Sequence, residues 1–450
     1  MAAANYSLRY HFKCNKQSRG KLTTCRGRFR VRKRDAAGDK QRMELRQAGL
    51  THLLRSAEWL TAARARTYSR ILAIELAILF MAWFGSAFLR GELDFSGQPI
   101  GPDFAPYWTA AKLALAGDPG AAYDPAIHYA RERELFGGGS LGGSTPFLYP
   151  PLFLLICLPF AMLPYRAALS VWLGLGLVSY WRSVRAIWPR KGLALPILAF
   201  PAVLINVVDG QNGLLSASLF AAATLQLDRR PIVAGVCFGC LAYKPHLGIV
   251  IPFVLLLSRE WTAILSAAVT VLLFLAASLI VFDPAVWTSF LSASSFARHL
   301  LEQGLAGPHR MVSVFAAAQL WHAPVWAAYA AQIVSGLVVL TALAVVLRRP
   351  APLARGAAIC AAAPLVSPYL FDYDLAILAV PIAWVTREAE ADGYFLPWEK
   401  FVLFAAFILP LVTRRVAMVL ALPIGPVIIA SLFFVVLRRA AMRKGQFLRS

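Results

Sequence analysis

Asp103 stands in the run Gly101-Pro102-Asp103-Phe104-Ala105-Pro106-Tyr107-Trp108, where a proline-fixed turn can aim a carboxylate and aromatic rings can shield it. Such a carboxylate suits a general base facing a sugar hydroxyl, with Tyr107 and Trp108 stacking on sugar rings or sitting at a lipid interface. The same residue could instead cap a helix that begins near Pro106. Lys244, in Leu241-Ala242-Tyr243-Lys244-Pro245-His246, falls in the middle of an apolar stretch. An ionisable group at membrane depth is costly enough to count as functional by default. Pro245 breaks the helix and frees backbone groups. A lysine at such a break could hold a phosphate as a compact point charge, or mark a polar turn and snorkel. Gln211 and Asn212 form a polar pair between two apolar blocks, able to hydrogen-bond hydroxyls or to cap a helix.

Asp372 and Asp374 flank Tyr373 shortly after Ser367-Pro368-Tyr369. In soluble sugar-nucleotide enzymes this DxD spacing holds a divalent metal. Here it opens a membrane helix without the surrounding soluble fold, which favours a helix N-terminal charge or a substrate-facing carboxylate, and no metal is expected. Tyr369 and Asp372 therefore join the substrate-facing set. His309, Arg310 and His322 lie near the end of a second outer loop, where Arg310 could pair a phosphate and a histidine could share proton transfer. Glu75 is a carboxylate within the first apolar run, expected to face a helix bundle. Cys237 and Cys240 make a CxxC, but beside Gly235 and Gly239 in an apolar helix they read as small-residue packing. The chain has no P-loop, dinucleotide fingerprint, HExxH or GxSxG in context, which removes support for ATP-driven transport, dinucleotide chemistry and the common hydrolases.

The elements that must position these residues are membrane helices. The 450 residues are 59% hydrophobic and 15% charged, with a mean hydropathy of +0.60. That is more apolar surface than a soluble core of this length buries. Apolar blocks such as 71–88, 167–180, 193–208, 262–282, 325–347 and 401–411 approach the length that spans roughly 30 Å of hydrocarbon. They must be helical, since only a helix satisfies its own backbone in lipid. The first run starts too late and is too long for a signal peptide, and reads as an uncleaved first helix. The net charge of +22 is concentrated in residues 1–70, which hold 18 Lys/Arg against 4 Asp/Glu. Such a tail keeps the N-terminus cytoplasmic and touches anionic lipid; without a recognisable fold around it, nucleic acid is not an expected partner.

These features predict an all-α polytopic integral membrane protein of about 10–12 transmembrane helices. Residues 1–69 form a basic cytoplasmic tail, 70–437 the membrane domain and 438–450 a second basic tail. Residues 90–147 form an extracytoplasmic first loop, with short helices over 106–116 and 126–136 lying against the membrane surface and a glycine joint over 137–143. Lys/Arg clusters place 348–355 and 438–450 inside, and 283–310 and 367–374 outside. Between 150 and 260 the rule conflicts with itself: Arg182, Arg185, Arg190 and Lys191 ask to be cytoplasmic, whereas counting helices puts them outside. Short or re-entrant segments are expected there. No internal repeat is visible, which weighs against transporters built from inverted repeats.

At Asp103-Phe104 with Tyr107-Trp108, Ala110-Ala111, Gly117 and Tyr123-Asp124, the chain resembles glycosyltransferase family 87, bacterial membrane enzymes that include polyprenol-phosphate-mannose-dependent mannosyltransferases. Tyr149-Pro150-Pro151-Leu152, Gly210-Gln211-Asn212 and the stretch from Gly235 to Lys244-Pro245 fit the same pattern, over about 71–437. The resemblance implies a C-type glycosyltransferase fold and a polyprenyl-phosphate sugar donor, with a lipid or glycan acceptor and no cofactor. It also implies a site on the extracytoplasmic face of the bacterial plasma membrane. The acidic residue at the start of the family's first outer loop serves as catalytic base, and Asp103 occupies the matching position. Lys244 matches the lysine of the family's Lys-Pro element, and its charge and depth suggest donor phosphate. His309-Arg310-Met311-Val312-Ser313 matches the late outer loop only loosely. A membrane transporter or flippase, with Glu75 and Lys244 as path charges, is the alternative function, and an assembly partner without chemistry of its own is a third.

Overall fold

The computed structural model describes residues 49–89, 91–94, 97–137, 146–192, 194–305, 307–346 and 352–447, with two short antiparallel strands, β1 (Tyr6–Ser7) and β2 (Arg32–Lys33). The chain divides into two compact units, Met1–Trp59 and Leu60–Ser450. Most of the basic tail, most of the 137–143 joint, Arg348-Arg349 and 448–450 lie outside the described residues.

The second unit is an all-α polytopic membrane body. Its helices are α1 (Ala62–Leu89), α2 (Ala105–Leu115), α3 (Pro125–Leu135), α4 (Pro151–Ala161), α5 (Tyr165–Ile187), α6 (Pro201–Asp209), α7 (Gly213–Gln226), α8 (Pro231–Cys240) and α9 (Val250–Leu257). After them come α10 (Trp261–Val281), α11 (Ala285–Glu302), α12 (Val314–Leu320), α13 (Val325–Val346), α14 (Pro352–Val366), α15 (Ala379–Asp392), α16 (Glu399–Leu420) and α17 (Ile424–Phe447). Among the described residues four helices are long and apolar enough to cross a membrane: α10, α13, α16 and Ile424–Met442 of α17. On α10, Leu265, Leu272, Leu273 and Ile280 are exposed, a surface that only lipid could cover.

The segment expected as a loop over 283–310 is instead mostly α11, an amphipathic helix that turns only Val286, Ala293 and Leu301 fully inward. The segment expected as a first outer loop holds two helices, as its composition predicts, but α2 is packed into the protein interior. Eight of its eleven residues are buried, because Phe104, Tyr107 and Trp108 meet a wall of rings from Phe136, Phe153, Tyr165 and Trp172.

Short helices interrupt the stretch 150–260. Both ends of α4 contact the segment that carries α2 and α3, through Tyr123 Oη to the Tyr149 carbonyl at 3.0 Å and Trp108 Nε1 to the Leu163 carbonyl at 3.2 Å. With 11 residues, about 16 Å long, α4 is shorter than a bilayer is thick. The start of α5 lies beside the same segment, where Tyr165 Oη donates to the Ile100 carbonyl at 2.5 Å. Its far end carries Arg190, paired with Glu390, and Ile187, whose carbonyl accepts from Arg387. A second interruption follows α7. Arg355, at the start of α14, bonds both Asp228 and Glu260. Asp228 precedes α8 and Glu260 follows α9, so α8 and α9 leave one end of the body and return to it. Lys244 sits at the tip of this re-entrant hairpin, between a 3-10 turn (Leu241–Tyr243) and a short helix (Pro245–Gly248).

The hairpin is anchored by glycines. A Cβ on Gly239 would lie 2.6 Å from Thr270 Cβ and 2.7 Å from the Ala267 carbonyl oxygen, and one on Gly235 would overlap Ser266 and Ala263. The Gly235-x-x-x-Gly239 step therefore lets α8 and α10 approach backbone to backbone. This is the small-residue packing expected around Cys237 and Cys240, which remain free thiols. Gly239→Ala is expected to destabilise the purified protein by about 1–3 kcal/mol, the usual cost of overpacking. Gly248→Ala, at a position with open space around it, should leave the melting temperature unchanged. Equal melting of the two variants would show that the α8–α10 contact does not need glycine.

Candidate active site

The segment that carries α2 and α3 meets the rest of the body at one backbone junction. Gly210, with φ of 74°, ends α6 in the left-handed region, where only glycine sits without strain. A Cβ there would lie 2.7 Å from Phe104 Cβ and 3.2 Å from Gly101 Cα. Across this contact the Asp103 amide donates to the Asp209 carbonyl at 2.8 Å, and Trp172 Nε1 donates to the Gly210 carbonyl at 3.1 Å. The turn to α7 then presents Gln211 to Asp103: Nε2 donates to Asp103 Oδ2 at 2.8 Å. Tyr107 Oη donates to Gln211 Oε1 at 2.8 Å and lies 3.1 Å from Tyr149 Oη. Tyr107 thereby fixes which way the Gln211 amide faces. Burial holds the Tyr107 phenol protonated far above its usual range, with Tyr149 adding to the effect.

Asp103 does not cap α2, whose first turn receives no side-chain cap. Its carboxylate is nearly buried, and burial raises its pKa above the ordinary value; Gln211, Arg310 and Arg414 pull the other way without reversing it. Arg310 Nη2 stands 4.0 Å from Asp103 Oδ2. Since Gln211 and Arg310 both address Oδ2, Oδ1 carries no hydrogen bond among the described residues. Asp209 is pushed up to about 7, first by burial and then by the Asp103 charge. Asp372 is raised by burial and lowered in part by Arg310 and Arg414. His309 is shifted down by burial, Arg414 and Arg310, so it is neutral at pH 7.

Lys244 reaches this region already paired. Its Nζ lies 2.6 Å from Asp374 Oδ1, with both side chains about 1% exposed, and 4.7 Å from the Tyr373 ring centre. Asp374 Oδ2 accepts from the Phe371 amide at 3.3 Å. Phe371 bridges to Met311, and the Val312 amide donates to the Leu370 carbonyl at 2.8 Å. The hairpin tip is thus tied, through Asp374 and the 370–371 segment, to the chain just after Arg310. The two carboxylates of the DxD pattern point to different partners: Asp374 to Lys244, and Asp372 Oδ1 to the Tyr373 amide at 3.0 Å. Among the described residues no group of three His, Cys, Asp or Glu could hold a metal ion.

Of the residues singled out in the sequence, Tyr107, Gln211 and Asp103 form one hydrogen-bonded chain with Arg310 4.0 Å from its carboxylate end, and Asp372 and His309 lie within reach of the same Arg310 charge. Asn212 lies beside Gln211, buried, with neither amide atom hydrogen-bonded among the described residues. Trp108 points away into the ring cluster, its indole N–H satisfied by Leu163 and its face covered by Lys112. Tyr369 lies beyond the tip, 6.3 Å from the His246 ring. Asp209 and Arg414, by contrast, are not marked by any local pattern in the sequence; Arg414 sits in the last third of α16.

Residues 147–368 match the model of Glycosyltransferase family 87. No curated protein and no solved structure matches the chain. By fold and family the protein is a membrane glycosyltransferase, which acts on a sugar donor and an acceptor. It belongs to glycosyltransferase family 87. The matched segment carries Gln211, Asn212, Lys244, His309 and Arg310; Asp103 and Arg414 lie outside it.

The Lys244–Asp374 pair makes a sharp prediction. Lys244→Met leaves a buried carboxylate uncompensated and is expected to destabilise the protein by about 3–5 kcal/mol, whereas Lys244→Met with Asp374→Leu should recover most of that loss. Thermal unfolding of the two proteins in one detergent measures it. A double variant no more stable than the single one would mean that the pair is not what Lys244 contributes.

Proposed function

We propose that the protein transfers a hexose, mannose on the family resemblance, from a polyprenyl-phosphate donor to a lipid or glycan acceptor. Asp103 is the general base of a single inverting displacement. The observation that carries this reading is the Asp103 carboxylate: buried, held on one oxygen by Gln211 and Arg310, and open on the other. The acceptor oxygen attacks the sugar C1, and its proton passes to Asp103 Oδ1. The C1–O bond to phosphate breaks, its electron pair stays on the phosphate oxygen, and polyprenyl phosphate leaves. A base whose pKa sits above that of a free carboxylate is better matched to a hydroxyl proton at neutral pH.

Asn212, His309 and Asp372 stand where donor or acceptor hydroxyls would meet the cleft, and an unpartnered buried amide such as Asn212 gains most from a substrate hydroxyl. Lys244 supports the floor of the cleft through Asp374. The extracytoplasmic placement rests on charge. Arg355, beside Asp228 and Glu260, and Arg439, beside Asp392 and Glu399, lie at helix ends remote from Asp103, and so do Arg185 and Arg190. The positive-inside rule then puts the cleft outside, in the bacterial plasma membrane, with the N-terminus cytoplasmic. A donor with a polyprenyl chain stays in the bilayer, and a cleft roofed by the outer loop can receive its head group there.

Membranes containing the protein are expected to transfer labelled sugar from polyprenyl-phosphate-mannose, and Asp103→Asn to lower the rate by about 10²–10⁴-fold, the range for loss of a general base. The sign of the stability change is opposite. Because the folded pKa of Asp103 is raised, stability is lost as pH rises through it, so Asp103→Asn should melt no lower than wild type at pH 7. Undiminished transfer by Asp103→Asn would remove Asp103 from the base role, and absence of transfer by both proteins with every polyprenyl-phosphate sugar would reject the donor class.

A further inference from the structure

Lys244 is neutralised by Asp374, so the cations left to meet a ligand in the cleft must come from elsewhere. Arg310 offers one. It is partly exposed, its only carboxylate contact is the long 4.0 Å approach to Asp103, and its Nε has no hydrogen-bond partner among the described residues. The second comes from α16. Arg414 is exposed and makes no salt bridge within 4.0 Å among the described residues, yet its charge reaches Asp103, Asp209, Asp372 and His309, the same groups that Arg310 reaches. Packing brings their segments together, with α16 against the 308–310 turn. A Cβ on Gly425 would lie 3.0 Å from Val312, two residues after Arg310, and 3.4 Å from Thr413 Oγ1, one residue before Arg414.

We propose that Arg310 and Arg414 together form the seat for the phosphate of a polyprenyl-phosphate ligand, with Arg414 an unassigned binding residue contributed from outside the segment that matches the family. This deepens the transferase reading and rests on it. Two guanidinium groups present several N–H donors to phosphate oxygens, in geometry that a lysine cannot reproduce. The same pair suits the departure step. When the C1–O bond breaks, the phosphodiester monoanion becomes a monoester that can carry a second negative charge, and the cations stabilise the charge as it develops. The seat also links donor to base. Arg310 leans towards Asp103 when nothing else neutralises it, and a phosphate drawing on Arg310 leaves the carboxylate a stronger proton acceptor once the donor is in place.

The test is a binding measurement on the full chain in detergent, and it does not depend on sugar transfer. Farnesyl phosphate is the probe, with farnesol, inorganic phosphate and phosphatidylglycerol as separate arms, followed by quenching of tryptophan fluorescence. Wild type should bind farnesyl phosphate in preference to farnesol, and more weakly as salt rises. Arg310→Gln and Arg414→Gln should each weaken binding by about ten- to a hundredfold, the loss expected for a charge-assisted contact. Arg415→Gln, next along the helix, should stay within twofold. Arg414→Lys, which keeps the charge without the fork, should fall between wild type and Arg414→Gln, and decides the matter if the glutamine variant does not fold. Wild-type affinity in Arg414→Gln or Arg414→Lys, or displacement by phosphatidylglycerol as readily as by farnesyl phosphate, would overturn the seat. Normal binding by Arg414→Gln alongside loss of transfer in Asp103→Asn would sink this inference and leave the transferase standing. Arginine-dependent binding in a protein that transfers no sugar would do the reverse.

Discussion

The structure depends on the backbone junction between 101–104 and the Gly210 turn. Two glycines meet there with almost no space between them, and one amide-to-carbonyl bond, Asp103 to Asp209, joins the segment that carries α2 and α3 to the end of α6. Every functional distance in the cleft follows from that junction. It sets Asp103 above Gln211 and brings Tyr107 onto the far side of the same amide. It also points Phe104 into the ring cluster that buries α2. A side chain at Gly210 would separate loop from body, since neither Phe104 nor the Gly101 backbone can retreat from a packed core.

Around that junction the protein concentrates charge where burial makes it expensive. Asp103, Asp209, Asp372 and Asp374 lie close to Lys244, Arg310 and Arg414, but the charges are not matched one to one. Lys244 and Asp374 form a closed, buried pair at the hairpin tip. The other acidic groups are left with raised proton affinity because burial desolvates them and Arg310 and Arg414 offset only part of that effect. The contrast separates two roles for the same residue types. A satisfied pair holds backbone in place, and an unsatisfied set is ready to exchange protons and bind anions.

Two interruptions of the helical pattern make room for this chemistry. Irregular backbone at membrane depth is tolerated only when protein surrounds it. The α4 half-helix packs against α2, α5 and α10, and the hairpin tip is held by Tyr373 and the 370–371 segment through Asp374. The glycine step on α8 allows the hairpin to lean on α10 without side chains between them.

The sequence by itself determined the solvent and the class. Block length and hydropathy demand membrane helices, since no other structure satisfies the backbone in lipid. The turn chemistry around Asp103 marked a carboxylate held by prolines and aromatics, and Pro245 marked the helix break at Lys244. The pairing of residues far apart in the chain was not legible. Nothing local says that Lys244 meets Asp374, 130 residues away, that Trp108 turns into a core, or that Arg414 and Arg310 act on the same carboxylates. Helix counting also failed at α4, because an 11-residue apolar run looks like part of a crossing until both its ends are seen at one face. Periodicity and composition report what each segment must be buried in. Which segments are buried in each other is decided by tertiary packing, and in this protein that packing pairs Lys244 with Asp374 and leaves Arg310 only a 4.0 Å approach to Asp103.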